Sequence, residues 1–315
     1  MSHDSPTPDL DAADAVFDAS GLVGRVVHDR PIGPLTTYRV GGPAARFVTL
    51  ESMIDLRIVV QAATAGSLPV LVVGRGSNLL VSDRGFVGLA VQLGAPFTDI
   101  DVRGTIVRAG GAASLPVVAR RTATIGLIGF EWAVGVPGSI GGAVLMNAGG
   151  HGSDIASSLV DVRVVDLHGT GDVRRIPAHE LALSYRHSVL RDDQVVIQAT
   201  LALAHGDSVA ALARVDEVVR WRREHQPGGQ NAGSVFTNPP GDSAGRLLDT
   251  AGCKGLRHGT AEISAKHANF IQSDDHGRAD DIRALMMLAR ERVREVHGVD
   301  LTVETKLVGF DEQGA

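Results

Sequence analysis

Seven glycines in nineteen residues mark the segment from Val134 to Gly152, V-G-V-P-G-S-I-G-G-A-V-L-M-N-A-G-G-H-G. An apolar A-V-L-M lies at its centre, which distinguishes the segment from a disordered glycine-rich linker. Ordered glycine costs conformational entropy, so a dense patch of it needs a geometric reason. The usual reason is a large ligand that lies against bare backbone, and an extended dinucleotide would qualify.

A second glycine turn, G-R-G-S-N at Gly74–Asn78, follows an apolar strand. Successive backbone N–H groups in such a turn form a concave anion site. It is not a Walker loop because no G-K-[ST] follows, and the Rossmann pattern G-x-G-x-x-G fails at Leu79. An ordinary tight turn explains this segment equally well when it is taken alone. Together with the patch at Val134–Gly152 and a third turn at Gly110-Gly111, it favours a bound phosphate-rich cofactor.

Three segments place polar side chains where loops commonly carry function. Ser234 and Asn238 lie in N-A-G-S-V-F-T-N-P, Arg186 lies in S-Y-R-H-S, and Glu304 lies in L-T-V-E-T-K-L-V-G. No G-x-S-x-G surrounds Ser234, which argues against a hydrolase nucleophile. Judged from spacing alone, Ser234 is better explained as the start of a strand than as a catalytic residue. Glu304 is likewise better explained as part of a solvent-exposed strand face.

The segment S-A-K-H-A-N-F-I-Q contains two further candidates, His267 and Asn269. A side chain in a turn or at a strand edge is at least as good an explanation for both.

Composition excludes several classes of protein. Thirty Lys and Arg against 36 Asp and Glu give a net charge of −6 without a basic run, which argues against nucleic acid as a partner. A single cysteine excludes an intrachain disulfide and a cysteine-based metal site, and no H-x-x-x-H pair is present, so we expect no structural metal. No apolar run approaches the length of a membrane span, and the first eighteen residues do not form a signal peptide. We therefore expect no membrane insertion, a cytoplasmic location and an N-terminal tail.

Hydrophobic periodicity predicts an α+β fold in more than one layer, with a domain boundary near Gly206. The predicted strands are Ala45–Leu50, Pro69–Val73, a hairpin of Val160–Leu167 with Asp172–Ile176, Gln194–Leu203 and Leu301–Val308. The predicted helices are Ser52–Ala65, Ser114–Ile125, Asp207 to about His225, and Asp280–His297.

Taken in order, these motifs resemble the UDP-N-acetylenolpyruvoylglucosamine reductase family, over about Leu35 to Gly309. The motifs are T-T-Y-R-V-G-G, G-R-G-S-N, V-P-G-S-I-G-G…N-A-G, S-Y-R-H-S, N-A-G-S-V-F-T-N-P, A-G-C-K-G-L-R-H-G, K-H-A-N-F-I and L-T-V-E-T. The resemblance implies a three-domain α+β protein with an FAD-binding region of the p-cresol methylhydroxylase/vanillyl-alcohol oxidase type and a C-terminal α+β substrate domain. Such a region binds FAD without a Rossmann fingerprint, in agreement with the failed pattern at Leu79.

The resemblance also implies the reaction and the residues that carry it. FAD, held non-covalently, would pass hydride from NADPH to the enolpyruvyl group of UDP-N-acetylglucosamine enolpyruvate, giving UDP-N-acetylmuramate for peptidoglycan. Ser234 would be the proton donor, and Arg186 and Glu304 would hold and polarise the substrate carboxylate. The implied FAD contacts are Tyr38, Arg39, Gly74, Arg75, Gly76, Ser77, Asn78, Leu79, Gly110, Gly111, Gly135, Pro137, Gly138, Gly141, Gly142, Asn147, Ala148 and Gly149. The implied substrate contacts are Tyr185, Asn238, Arg222, His225 and His267.

Two departures from the family pattern bear on the substrate contacts. One form of the family has an additional loop with a substrate tyrosine, whereas the only tyrosines here are Tyr38 and Tyr185, so the chain resembles the shorter form. A lysine that the family can use for the diphosphate aligns near His225, and Arg222 or Arg223 is the expected substitute.

The resemblance divides the chain into a disordered tail at 1–20, an FAD-binding subdomain at 21–95 rejoined by 304–315, a second FAD-binding subdomain at 96–206 and a substrate-binding domain at 207–303. We expect a monomer. Two rival functions are a flavin oxidase of the same superfamily, with His151 as the residue for covalent FAD attachment, and a non-redox nucleotide-binding module.

Overall fold

The computed structural model describes residues 7–310 of the 315-residue chain. Its α-helices are α1 Leu10–Asp18, α2 Met53–Ala65, α3 Leu115–Thr124, α4 Ile140–Leu145, α5 Ser208–His225, α6 Ala244–Thr250 and α7 Ala279–His297. Its strands are β1 Val27–Pro31, β2 Pro43–Leu50, β3 Val70–Val72, β4 Leu79–Val81, β5 Phe86–Leu93, β6 Ile100–Arg103, β7 Ile106–Gly110, β8 Leu127–Ile128, β9 Gly149–Gly150, β10 Ser153–Asp154, β11 Leu159–Asp166, β12 Val173–Pro177, β13 Gln194–Ala202, β14 Ala204–His205, β15 Arg257–His258, β16 Ala261–Ile263, β17 Ile271–Ser273 and β18 Lys306–Val308. Short 3₁₀ helices occupy Gly33–Leu35, Ala95–Phe97, Glu131–Gly135, Ile155–Ser157 and Ala178–Glu180.

The chain forms two compact units. Of the described residues, unit 1 comprises 7–30, 44–74 and 87–219, and unit 2 comprises 31–43, 75–86 and 220–310. This division differs from the boundary expected near Gly206. The buried side chains of the first part of α5, Ala211, Val215 and Val218, pack in the core of unit 1, so most of this helix belongs there.

The five-stranded antiparallel sheet of unit 1 has the order β12-β11-β13-β7-β6, and its inner strands pack against a hydrophobic core on each face. Successive side chains of a strand point to opposite faces. In β13, Val195 and Ile197 pack with α1, α2 and β2, whereas Val196 packs with α3 and α4. The two cores of unit 1 therefore share this sheet. Residues 21–30, 44–74 and 87–95 of the first expected FAD-binding subdomain therefore lie in one compact unit with the second, 96–206.

The four-stranded sheet of unit 1, in the order β1-β2-β5-β3, supports α2. Ser52 caps α2, because its Oγ accepts the N–H of Asp55 at 3.1 Å, and Gly66 ends the helix. The Asp55 carboxylate in turn accepts the N–H of Glu51 at 2.7 Å, which completes a reciprocal cap. The predicted strand, helix and strand over Ala45–Val73 are confirmed as β2, α2 and β3. The strand β3 joins the sheet through parallel pairing with β5.

The N-terminal segment differs from the expected tail. Residues 1–6 lie outside the described part of the chain, but Leu10–Asp18 form α1, with Ala13 and Phe17 buried. Asp9 caps the helix through the N–H of Ala12 at 2.9 Å. Arg46 on β2 binds Asp14 of α1, with Nε 2.7 Å from Oδ1. The Asp- and Pro-rich composition predicts a tail, whereas the burial of Ala13 and Phe17 stabilises a helix here.

Unit 2 has a three-stranded antiparallel sheet, β15-β16-β17, covered by α7. Its core also contains Tyr38, Val40 and Leu80. The strand β4 pairs in parallel with β18, with Leu80 opposite Leu307. Residues 31–43 and 75–86 therefore fold with the C-terminal part of the chain rather than with the first FAD-binding subdomain.

The predicted strand Leu301–Val308 is only partly regular. Lys306–Val308 form β18, whereas Val303 makes an isolated antiparallel bridge with Phe236. Leu301 and Thr305 are buried, whereas Val303 and Leu307 are partly buried. The chain changes its pairing partner within this segment, so no single continuous strand forms.

Within residues 7–310, none of the helices combines the length and the apolar character needed to cross a membrane.

We predict that Phe17→Ala destabilises unit 1 by about 3 kcal/mol, because it removes a fully packed ring from the core beneath α1. Urea-induced unfolding measures the effect. The control is Val23→Ala at a side chain that is 60% exposed, which should change stability by less than about 0.5 kcal/mol. Equal effects of the two substitutions would show that α1 does not pack on unit 1.

Candidate active site

The segment that follows Ser234 is hydrogen-bonded to the segment that carries Glu304 in unit 2. The carbonyl of Val235 accepts the N–H of Glu304 at 2.7 Å, and Phe236 bridges Val303 in antiparallel pairing. The N–H of Thr237 donates to the carbonyl of Thr302 at 2.9 Å. Two segments that lie far apart in the sequence are thus fixed side by side. The segments that carry the predicted proton donor and the predicted carboxylate are therefore adjacent, and the roles of the two side chains stay predictions.

Ser234 also lines a cavity of about 440 Å³ in unit 2. Two of the predicted substrate contacts, Asn238 and His267, line it as well. The cavity wall further contains Ser243, Gly245, Arg246, Asp249, Lys254, Lys266, Ala268 and Asn269. Three cations and one carboxylate line this cavity. Arg246 pairs with Asp242 and Lys254 pairs with Asp249, so Lys266 leaves the wall with an excess of positive charge that suits an anionic ligand.

The two lysines of the cavity were not identified as site residues from the sequence. Lys254 donates to Asp249 at 2.7 Å, and Lys266 donates to the carbonyl of Arg223 at 2.5 Å. Both are among the only three lysines of the chain, the third being Lys306. This scarcity was the available signal, because arginine supplies nearly all the other positive charge.

His267 is held as a neutral ring in the cavity wall. Burial lowers the pKa of its imidazole, and the nearby ammonium of Lys254 lowers this pKa further. Its Nδ1 accepts the N–H of Asn269 at 3.2 Å, which leaves the proton of the neutral ring on Nε2. A Cβ at Gly245 would lie 2.9 Å from Cε1 of His267, so a glycine at this position leaves room for the ring.

Arg222 and His225, also predicted as substrate contacts, do not line this cavity. His225 stacks on Trp221 with ring centroids 4.5 Å apart, and its Nδ1 lies 2.8 Å from the carbonyl of Trp221. The side chain of Arg222 donates to Gln226 at 2.7 Å, and burial lowers the pKa of its guanidinium. Their assignment as substrate contacts stays a prediction.

The turn at Arg75–Asn78 has the geometry of an anion site. Gly76 adopts a positive φ of 60°, and its backbone packs so closely on Thr36 that a Cβ would lie 2.5 Å from the Thr36 Cα. The carbonyl of Gly76 accepts the N–H of Thr37 at 3.1 Å. Among the described residues, none of the four backbone N–H groups from Arg75 to Asn78 donates to a protein acceptor. Four such donors in one turn fit a phosphate of FAD.

The T-T-Y-R-V-G-G segment supports this turn from within unit 2. Tyr38 is fully buried, and burial raises the pKa of its phenol. Arg39 has a positive φ of 58°, and its N–H donates to Thr36 Oγ1 at 3.0 Å. Burial places the Tyr38 ring in the core of unit 2.

Packing within unit 1 explains part of the glycine patch. A Cβ on Gly141 would lie 3.1 Å from the carbonyl oxygen of Gly111, and one on Gly149 would lie 2.6 Å from that of Ser153. A Cβ on Gly111 would overlap the carbonyl of Val196. These glycines are required because backbone lies against backbone inside the protein. Gly150, by contrast, has nothing within 4 Å of its Cβ position, so its bare backbone is open to a ligand.

Arg186 lies at the tip of a tight hairpin in unit 1. Ser184 and His187 exchange two backbone hydrogen bonds of 3.1 Å, and Arg186 adopts a φ of 56°. A left-handed residue other than glycine is strained, and such strain is common at functional sites. The guanidinium donates to the carbonyl of Gly149 at 3.4 Å and lies over the ring of Tyr185, with its Cζ 5.2 Å from the ring centroid.

Asn147, predicted as an FAD contact, holds this hairpin. Its Nδ2 donates to the carbonyl of Ser184 at 2.9 Å and to Asp154 at 3.1 Å, and its Oδ1 accepts the N–H of Ala156 at 3.0 Å. The side chain is 2% exposed. The amide therefore positions the segment that carries Arg186.

Two protein-family models match the chain. An FAD binding domain model matches residues 44–176, which lie mostly in unit 1, so the chain is a flavoprotein. The model of the UDP-N-acetylenolpyruvoylglucosamine reductase C-terminal domain matches residues 225–308 in unit 2.

Relatives match over nearly the whole chain. The UDP-N-acetylenolpyruvoylglucosamine reductase of Acidiphilium cryptum is 42% identical over 93% of this chain and 94% of its own length. That of Gluconobacter oxydans is 38% identical over 95% and 97%. The crystal structure of the Thermus caldophilus enzyme superposes with a TM-score of 0.78 and 36% identity, covering 90% of this chain and 98% of that one. The chain belongs to the UDP-N-acetylenolpyruvoylglucosamine reductase family. This membership favours a reductase over the flavin oxidase and the nucleotide-binding module.

We predict that Asn147→Ala lowers the free energy of unfolding of unit 1 by about 2 to 3 kcal/mol, because the N–H of Ala156 and the carbonyl of Ser184 lose a buried partner. Thermal unfolding provides the measurement. Thr98→Ala, which removes one exposed local hydrogen bond, is the control and should have little effect. If both variants melted together with the wild type, Asn147 would not hold the hairpin.

Proposed function

We propose that this chain reduces the enolpyruvyl group of UDP-N-acetylglucosamine enolpyruvate to UDP-N-acetylmuramate, with NADPH as the source of hydride. The observation that carries the proposal is the cationic cavity of unit 2, which Ser234 lines. The next residue, Val235, is hydrogen-bonded to the backbone of Glu304. A nucleoside diphosphate sugar is anionic, and Arg246, Lys254 and Lys266 supply the opposite charge.

FAD, when bound, supplies the hydride that adds to the methylene carbon of the substrate. We propose that the N–H groups of Arg75–Asn78 hold one of its phosphates. The other predicted FAD contacts stay predictions. So do the monomeric state and the cytoplasmic location.

Hydride addition to the methylene carbon leaves negative charge on the neighbouring carbon and its carboxylate. Arg186 is proposed to bind that carboxylate through its planar guanidinium, which stabilises the added charge. Glu304 is proposed to orient and polarise the same group. Ser234 Oγ then donates its proton to the carbon that carries the carboxylate, because an enolate is a base strong enough to deprotonate a hydroxyl.

We predict that Ser234→Ala retains flavin reduction by NADPH and slows flavin reoxidation by the enolpyruvyl substrate about 10² to 10⁴-fold. Anaerobic stopped-flow absorbance separates these half-reactions. Ser273→Ala is the matched control, since Ser273 lies in unit 2 outside the cavity and its Oγ donates only to the carbonyl of Asp274. A variant with slow reduction and normal reoxidation would contradict the role of Ser234.

We predict that Arg186→Lys and Glu304→Gln each lower turnover by about 10²-fold or more with FAD still bound. Lysine keeps the charge but loses the two-pronged geometry, and glutamine loses the charge while it keeps the shape. Steady-state kinetics and the flavin absorbance of the purified variants are the measurements. Near-wild-type turnover in either variant would remove that residue from the mechanism.

A further inference from the structure

Asn269 lies in the wall of the cavity, yet its amide is bound to the chain segment that follows Ser234. Its Oδ1 accepts the N–H of Phe236 at 3.0 Å, and its Nδ2 donates to the carbonyl of Phe236 at 2.8 Å. Its own carbonyl accepts the N–H of Val235 at 2.9 Å. The residue is 3% exposed. These three hydrogen bonds replace a neighbouring strand along one edge of Val235-Phe236.

The opposite edge of the same segment is held by the backbone around Glu304. The carbonyl of Val235 accepts from Glu304, and the N–H of Thr237 donates to the carbonyl of Thr302. Gly233, on the other side of Ser234, has a positive φ of 77°. Ser234 therefore lies between a glycine turn and a segment that is clamped on both edges. Without the Asn269 side chain, the N–H and the carbonyl of Phe236 would lose their hydrogen-bond partners. The backbone after Ser234 could then rotate about Gly233.

We propose that Asn269 is a positioning residue that sets the direction of the Ser234 hydroxyl. The inference rests on the proposed function, in which Ser234 donates the proton. A general acid must lie within about 2.6 to 3.2 Å of the atom it protonates. A displacement of about 1 Å can cost about 10²-fold in rate. An amide that holds the next residue through both of its polar atoms controls such a displacement.

The experiment is a double-mutant cycle on the FAD-loaded full-length chain, with Ser234→Ala, Asn269→Ala and the double variant. The enzyme is reduced anaerobically with NADPH, and its reoxidation by UDP-N-acetylglucosamine enolpyruvate is followed by stopped-flow absorbance. If Asn269 acts through Ser234, Asn269→Ala slows reoxidation about 10²-fold and leaves flavin reduction unchanged. The double variant is then no slower than Ser234→Ala, because the effects of groups that act as one unit do not add.

A second variant gives a readout that lost stability alone would not produce. Asn269→Asp keeps the size and the acceptor, but an ionised carboxylate cannot donate to the carbonyl of Phe236. A protonated carboxyl group can donate, so reoxidation by Asn269→Asp should recover as the pH falls toward the pKa of a carboxylic acid. The wild-type enzyme should show no such recovery. This comparison needs only a folded Asn269→Asp enzyme, so it holds if Asn269→Ala fails to fold.

Thr260→Val is the matched control for lost hydrogen bonds. Thr260 Oγ1 donates to Asp281 at 2.8 Å and accepts the N–H of Arg278 at 2.8 Å, in unit 2 but outside the cavity. The rates of both half-reactions of Thr260→Val should match those of the wild type, even if the melting temperature of the variant falls.

Two results would overturn the inference while the role of Ser234 stands. In the first, the fold-decreases in reoxidation rate of Ser234→Ala and Asn269→Ala multiply in the double variant. In the second, Asn269→Ala slows flavin reduction and flavin reoxidation equally. Normal reoxidation by Ser234→Ala would instead contradict the proposed role of Ser234 as proton donor, and the positioning role would fall with it.

Discussion

The hydrogen bond from the N–H of Glu304 to the carbonyl of Val235 is the constraint on which the proposed chemistry of unit 2 depends. It fixes the register between the segment that follows Ser234 and the segment that carries Glu304. A shift of that register by one residue would turn every side chain of the segment to the other face. Ser234 would then leave the cavity, and Phe236 would leave the core. Both the site and the core of unit 2 therefore need the same register.

The parallel pair of β4 and β18 extends this constraint to the other parts of unit 2. The turn Arg75–Asn78 leads into β4, and Asn78 Nδ2 donates to the carbonyl of Glu304 at 3.0 Å, directly before β18. Asp83 follows β4 and caps α7, because its carboxylate accepts the N–H groups of Ala279 and Asp280 at 3.0 and 3.1 Å. One strand pair thus connects the proposed phosphate site, Glu304 and the longest helix.

Local signals in the sequence predicted local structure well. Ser52 and Gly66 bound α2 as predicted, and the hairpin of β11 and β12 pairs with Val162 opposite Ile176. The capping role of Asp207 is confirmed by the 2.8 Å bond from the N–H of Ala210. Each of these features depends on neighbours in the chain, which the sequence displays directly.

Features that depend on distant partners could not be predicted in this way. The helix α1 could not be predicted, because it is stabilised by the packing of Phe17 on α2 and β2, which lie elsewhere in the chain. Asn147 lies in a glycine-rich motif, and nothing in that motif indicates that the Asn147 amide donates to the carbonyl of Ser184. Lys254 and Lys266 enter one cavity because β16 and β17 and the loop after α6 converge in unit 2. Family resemblance supplied the roles of Ser234 and Glu304, and the structure supplies the register that joins them.

The most direct measurement starts from the wild-type chain, reconstituted with FAD and reduced anaerobically with NADPH. UDP-N-acetylglucosamine enolpyruvate is added, and the flavin absorbance and the nucleotide sugar products are followed together. The proposed function predicts that flavin absorbance returns while one UDP-N-acetylmuramate forms for each flavin reoxidised. A flavin that stays reduced until oxygen is admitted, with the nucleotide sugar unchanged, would contradict it.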